Sequence, residues 1–278
     1  LMKKYTLVLL LLVASTTTFA QKKEKIKGSK TVTIASKEIG EFNSLEVNDN
    51  LEVYLERGEK NEIKIEADDN LHEIIGMDLN GQALRIYTSK DASIFKKLIV
   101  RVTYTKDLTK VIAKNTTVVN AIQELQLDDI TFNSVDYSKL FLNVNSKKFA
   151  LIADDKSKTE LNLKSENASV QLSKNAGLKA LVVATDFKCD LYQKANAAIE
   201  GSATNGTLRL DNNSTFIGNK FTVKNANVTA ESYSTCSLLA ETTIAIAAGD
   251  KAEVQLLGTP KIELTRFTEE AKLIKRSK

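Results

Sequence analysis

The 278-residue sequence has no tryptophan, one proline, one histidine, two cysteines and only 11 glycines. Each shortage removes a class of chemistry. His72 alone would have to serve any Ser-His-Asp or Cys-His catalytic set, and a histidine-based metal centre would lack its second imidazole. Its context, Asn70-Leu71-His72-Glu73, reads instead as a surface position on a short helical turn over residues 69 to 75, with Asp69 as the cap. With aromatics at 6%, few rings are available for a sugar-stacking face. A phosphate-cradling Gly-rich loop and the nine-residue calcium-turn repeat are both missing. The sequence therefore assigns no metal, no cofactor and no catalytic residue.

Apolar residues make up 42% of the chain, and they come as short alternating runs. Between residues 138 and 264 these runs return every nine or ten residues, separated by clusters of Asn, Asp, Ser and Lys. Leu140, Leu161, Leu181, Ile199, Phe221, Ile244 and Ile262 form one candidate row with steps of 18 to 23 residues. Leu151, Val170, Leu191, Leu208 and Val228 form a second, with steps of 17 to 21. A unit of about twenty residues cannot bury its own apolar face and must stack on its neighbours, as a β-solenoid coil does. Asn145-Ser146-Lys147 and Asn225-Ala226-Asn227 are the expected coil turns, because Asn tolerates left-handed backbone. The most apolar runs, 178 to 184 and 242 to 248, are predicted as interior strands.

Cys189 and Cys236 lie 47 residues apart, about two coils. With strands stacked about 4.8 Å apart, vertically aligned Cα atoms would be roughly 9 to 10 Å from each other, beyond the about 7 Å limit of a disulfide. Two unpaired, partly buried thiols are expected.

Residues 1 to 20 read as a signal peptide: Lys3 and Lys4 lead into the apolar run 7 to 14 and the Thr18-Phe19-Ala20 cleavage pattern. That run is far shorter than the about 20 residues a spanning helix needs, so no transmembrane segment is expected in the mature chain. Export makes the protein periplasmic, cell-surface or extracellular. The formal net charge of +4 includes Lys3 and Lys4, leaving a near-balanced mature chain with basic and acidic residues interspersed, which argues against nucleic acid. Residues 21 to 30 are charged and patternless and read as a disordered leader. Residues 265 to 278 read as a tail with at most a short helix or frayed end.

From residue 31 to 111 the apolar alternation has period two, with turn signals at Arg57-Gly58 and Asn80-Gly81 that suggest hairpins. The run Ile39-Gly40-Glu41-Phe42-Asn43-Ser44-Leu45-Glu46-Val47 is followed by Leu51-Glu52-Val53, the Gly58 turn and Ile63-Lys64-Ile65-Glu66-Ala67. Together with Leu84-Arg85-Ile86 and Leu98 to Tyr104, it resembles the head GIN domain family, auto-transporter adhesins of unknown function from Bacteroidota-type bacteria. The resemblance covers most of the mature chain. It departs in the carboxyl half, where Asn, Asp and Lys stand in place of Gly-Ser-Gly turns.

The combined reading is an all-β protein: a strand-rich part over 31 to 111 continuing into a right-handed parallel β-helix, or β-solenoid, over 112 to 264. Parallel β-helices include enzymes on acidic polysaccharides, so the paired carboxylates Asp68-Asp69, Asp128-Asp129 and Asp154-Asp155 need a reading. Each pair follows an apolar strand, and adjacent residues on extended chain point to opposite faces, so turn chemistry accounts for them. The expected function is a non-catalytic, exported binding or adhesion-type protein of unknown partner, a cell-surface glycan or a protein. The alternatives are a β-helix enzyme on extracellular polysaccharide and a structural stacking module. Open solenoid ends also permit a homo-oligomer.

Overall fold

The computed structural model describes residues 23–277; the candidate signal peptide, residues 1 to 20, lies outside the described residues. β1 (Lys25–Lys27), β2 (Val32–Glu38), β3 (Ser44–Val47), β4 (Glu52–Arg57) and β5 (Glu62–Asp68) lead to a 3-10 turn over Asp69–Ile74. β6 (Ile75–Asn80), β7 (Ala83–Thr88), β8 (Asp91–Ser93) and β9 (Leu98–Tyr104) complete the amino-terminal part. Long strands follow: β10 (Lys110–Ala113), β11 (Val118–Ser134), β12 (Lys139–Ala153), β13 (Lys158–Leu172), β14 (Gly177–Leu191) and β15 (Asn196–Leu210). The stack ends with β16 (Thr215–Ala230), β17 (Thr235–Ala248), β18 (Glu253–Leu257), β19 (Lys261–Phe267) and β20 (Lys272–Lys275). The whole is a parallel β-solenoid of about 9 turns.

A four-residue turn sets the coil. In Asp154-Asp155-Lys156-Ser157 the Ser157 amide donates to the Asp154 carbonyl at 3.3 Å. The second residue is left-handed, with φ 59° at Asp155, 61° at Asp136 and 58° at Asn115, a conformation that Asp and Asn accept most easily among residues with a side chain. The fourth residue points inward and is small: Ser138, Ser157, Ala176, Ala195, Ser214 and Ala252 are fully buried. Successive strands then stack at a step of 19 residues, with Lys139 beside Lys158, then Gly177, Asn196 and Thr215. A second corner lies inside each long strand, where pairing skips one residue, as at Lys147 and Glu166. The triplets 145–147 and 225–227 fall at these inner corners rather than at the turns.

Alternation within each strand directs every second side chain into one continuous core. One inward row runs through Leu151, Val170, Cys189, Leu208, Val228 and Ile246. Leu191 belongs two residues further on, above Leu172, so that row is read correctly from the sequence except at one rung. The first row is not a row. Of its members Leu161 and Ile199 share one position, above and below Ala180, and Ile244 and Ile262 share another in the other flank, whereas Leu181 points outward. A period of 19 puts residues of both parities near any twenty-residue step.

Coil stacking begins before residue 112, because β3 is flanked by β7 and β10, and β4 by β9 and β11, all parallel. β4 and β5 are not a hairpin; β9 lies between them, parallel to β4 and antiparallel to β5. The true hairpin is β6–β7, turned at Gly81 with φ 60°. The antiparallel strands β2 and β5 lie at this end of the stack. The stretch expected as a disordered leader carries β1, which pairs in parallel with β8. Ile26 packs against the core and Lys23 bridges Asp49 at 2.6 Å. The tail likewise continues the stack, since the turn before β20 repeats the four-residue pattern with Glu269 at φ 55° and Leu273 stacks on Val254.

Both cysteines are free, and both are fully buried rather than partly so. Cys189 sits on one flank and Cys236 on the other, above Phe216. Burial pushes the Cys236 thiol up to about 12. Burial also raises Cys189, with Asp190 adding to it. Such thiols behave as small apolar core residues.

Candidate functional site

Where the first flank of each coil runs through residues 141–143, 160–162, 179–181 and 198–200, three consecutive residues line one outer groove of about 820 Å³. Alternation along the strand puts the first and third positions on the outer face, where they form opposite walls, while the middle residue turns inward. The middle positions, Ala121, Leu142, Leu161, Ala180 and Ile199, stack across β11 to β15 with their side chains in the core, so the base of the groove is largely backbone. Phe141, Glu160, Lys179, Ala198 and Ile217 follow one another along one wall. Asn143, Asn162, Leu181, Glu200 and Lys220 follow along the other.

Each lysine of the groove stands beside a glutamate on the neighbouring strand. Lys220 Nζ meets Glu200 at 3.2 Å, and Lys179 stands in register beside Glu160. Asn162 donates to Asn143 at 3.0 Å, as expected of a stacked amide ladder. What remains unpartnered is hydrocarbon: Ile122 is 70% exposed, and Leu181 and Ile217 are each 49% exposed. Scattered exposed apolar residues are ordinary on any surface; these three line one continuous concavity.

None of the polar side chains weighed in the sequence as candidate chemistry lies in this groove. His72 is on the 3-10 turn, where Nε2 shares a 2.9 Å hydrogen bond with Thr33 Oγ1. That turn is preceded by Asp68, and no side chain caps it, so Asp69 is its first residue and not its cap. Asp154 and Asp155 occupy a coil turn, both held by Lys174 at 2.9 and 2.8 Å. Asp128-Asp129 does not open a turn; it sits at the inner corner of β11, with Asp128 bridged to Lys147 at 3.0 Å. Among the described residues, no group of three His, Cys, Asp or Glu side chains is placed to hold a metal ion.

The groove residues escaped the sequence reading because Leu-Lys-Ala-Leu-Val-Val-Ala looks uniformly interior. In fact Leu178, Ala180, Val182 and Ala184 point in, while Leu181 and Val183 point out. The available signal was apolar residues at the outward parity of an otherwise alternating strand.

Fold and groove together define a parallel β-solenoid with an apolar groove on one outer face. The chain belongs to the family described as "Putative auto-transporter adhesin, head GIN domain", which matches residues 41–260. No curated protein matches it. Among solved structures it is similar to a putative adhesin from Parabacteroides merdae, at 17% identity and a TM-score of 0.61, covering 92% of this chain and 98% of that one. A putative adhesin from Parabacteroides distasonis is similar at 15% identity and a TM-score of 0.63, over 91% and 98%. A further Parabacteroides distasonis protein, described as a putative lipid binding protein, has 11% identity and a TM-score of 0.60, over 92% and 98%. At these identities the likeness is one of fold.

Proposed function

We propose that this chain is an exported, non-catalytic binding protein of adhesion type at the cell envelope, and that the groove across β11 to β16 holds the alkyl chain of an amphiphile. The observation that carries this reading is the exposed hydrocarbon of Ile122, Leu181 and Ile217, left unpartnered along one groove. Export rests on the sequence pattern of residues 1 to 20. No helix among the described residues is long and apolar enough to cross a membrane.

The composition of the groove favours hydrocarbon over the alternatives. A glycan would meet one ring, Phe141. An extended peptide adding to a sheet needs free backbone groups at an edge, whereas the groove is a sheet face whose backbone is paired between coils. A glycan hydrolase needs an acid in an enclosed setting, but Glu160 and Glu200 are exposed and each stands beside a lysine. The description of one structural neighbour as lipid binding accords with hydrocarbon, and those of the others with adhesion.

Titration calorimetry with dodecylphosphocholine below its micelle-forming concentration tests the reading. Each CH₂ withdrawn from water contributes roughly 0.8 kcal/mol, so Leu181→Asp and Ile217→Asp, by denying contact to two or more of them, should each weaken binding about tenfold. Thr222→Asp, on the same coil but not lining the groove, should leave it unchanged. Absence of binding, or binding that both groove variants retain, would overturn the assignment.

A further inference from the structure

The two ends of the stack differ. At the amino-terminal end the coil edges carry antiparallel strands, but at the other end β19 pairs only with β17 and β20 only with β18, with no described strand beyond either. Ile262 and Leu264 continue the inward rows of Ile244 and Ile246, yet they are 45% and 50% exposed, and Phe267 is 40% exposed. A bare edge with an apolar inner face is a template for another strand.

We infer that the strand it takes is β19 of a second copy, paired antiparallel about a two-fold axis at Ile262. Charge sets this register. Lys261 and Glu263 point outward on either side of Ile262, in line with Thr243 and Ala245 below. With the axis at Ile262, Lys261 lies opposite the partner's Glu263 and Glu263 opposite the partner's Lys261, two attractive cross-strand pairs related by symmetry. On the inner face Ile262 meets its own copy and Leu264 meets the partner's Pro260, so the two apolar cores become continuous. Proline has no N–H to donate, which ends the ladder there.

The neighbouring registers fail. A slip of one residue would turn Ile262 and Leu264 away from the core face. An axis at Glu263 sets Glu263 against itself, a like-charge pair directly opposite. An axis at Leu264 extends the pairing through Thr265, where the register of β19 slips between Leu264 and Arg266, and leaves Lys261 and Glu263 without counterions.

Sedimentation equilibrium on the mature chain tests the dimer. The unaltered protein should sediment as a dimer. Lys261→Glu places four carboxylates at the seam and Glu263→Lys four ammonium groups, so each variant alone should dissociate at least about tenfold more readily. Mixed in equal amounts, the two variants should restore the dimer, because every cross-strand pair is then again of opposite sign. Thermal unfolding of each variant alone checks that it is folded, since both positions are exposed. A monomeric unaltered protein, single variants that dimerise as before, or a mixture that stays monomeric would each overturn the inference.

Discussion

Asp68 shows how one buried carboxylate organises a region the sequence leaves ambiguous. It ends β5 fully buried, and it accepts the amides of Lys30 at 2.8 Å, Lys96 at 3.1 Å and Lys97 at 3.0 Å. Burial acts to raise its pKa, but the three N–H donors together outweigh burial and hold the carboxyl below its usual value. A carboxyl whose pKa is lower folded than unfolded adds stability above the ordinary value near ~3.9, and loses it as pH falls through the folded value. Asp68→Ala is therefore expected to lower the melting temperature at neutral pH by several degrees, about what one lost buried partner costs a domain. The gap should close as the solution is acidified below that range. Circular dichroism melts at a series of pH values check this, and a gap independent of pH would show that the charge is not its source. Nothing in the pair Asp68-Asp69 distinguishes this role from that of a turn residue, because the donors come from segments 28 and 29 residues downstream and 38 upstream.

At the scale of the coil, Gly201 marks where two strands cannot follow the common pattern. The β15–β16 register slips between Ala198 and Glu200, and Gly201 takes φ 108°. A Cβ there would lie 2.1 Å from the Val182 carbonyl oxygen. Phe221 fills the rung beside this glycine and meets the Phe187 ring edge-on at 5.1 Å. Gly201→Ala is expected to cost about 1 to 3 kcal/mol, the range for a strained backbone position, read as a lower urea midpoint with the slope unchanged; a midpoint equal to the parent's would contradict it. The turns show how far such features are legible. Asp136, Asp155 and Asn115 announce their left-handed backbone by residue type, whereas Lys174, Gln193 and Glu269, with φ of 55°, 52° and 55°, do not. At Lys174 the conformation comes from stacking, since the amide of Lys156 donates to Asp136 at 2.8 Å and that of Asn175 to Asp155 at 2.9 Å. At Gln193, by contrast, the next residue, Lys194, is left-handed too (φ 66°) and donates forward to the Asn212 carbonyl at 2.9 Å. The solenoid and its second row were accordingly readable from period and parity. The groove was not, because Leu181 looks like any core leucine until its neighbours fix the parity.

The molecule as a whole is close to one-dimensional, since each coil touches chiefly the coils on either side, and such stacks derive stability from nearest-neighbour interfaces. It has no disulfide among the described residues, and burial of the inward rows carries the fold. A central residue should therefore matter far more than a terminal one of similar chemistry. Phe216 is fully buried with rows above and below and its ring 6.4 Å from that of Phe221, so Phe216→Ala is expected to cost about 3 to 5 kcal/mol. Leu273, on the last strand, is half-buried with no row beyond it, and Leu273→Ala should cost less than the about 2 kcal/mol that bounds a core leucine from below. The same gradient should appear in amide exchange. Opening free energies approach the global value for strands held on both sides and fall towards zero at a fraying end, so β13 to β15 should exchange slowest and β19 and β20 fastest in a monomeric variant such as Lys261→Glu. In the unaltered protein the amides of Ile262 and Leu264 should gain protection while those of β8, far from the seam, do not. Equal protection of β19 in the unaltered protein and the variant would mean that the end of the stack is left bare in solution, and uniform exchange along the coils would mean that they unfold as a single unit.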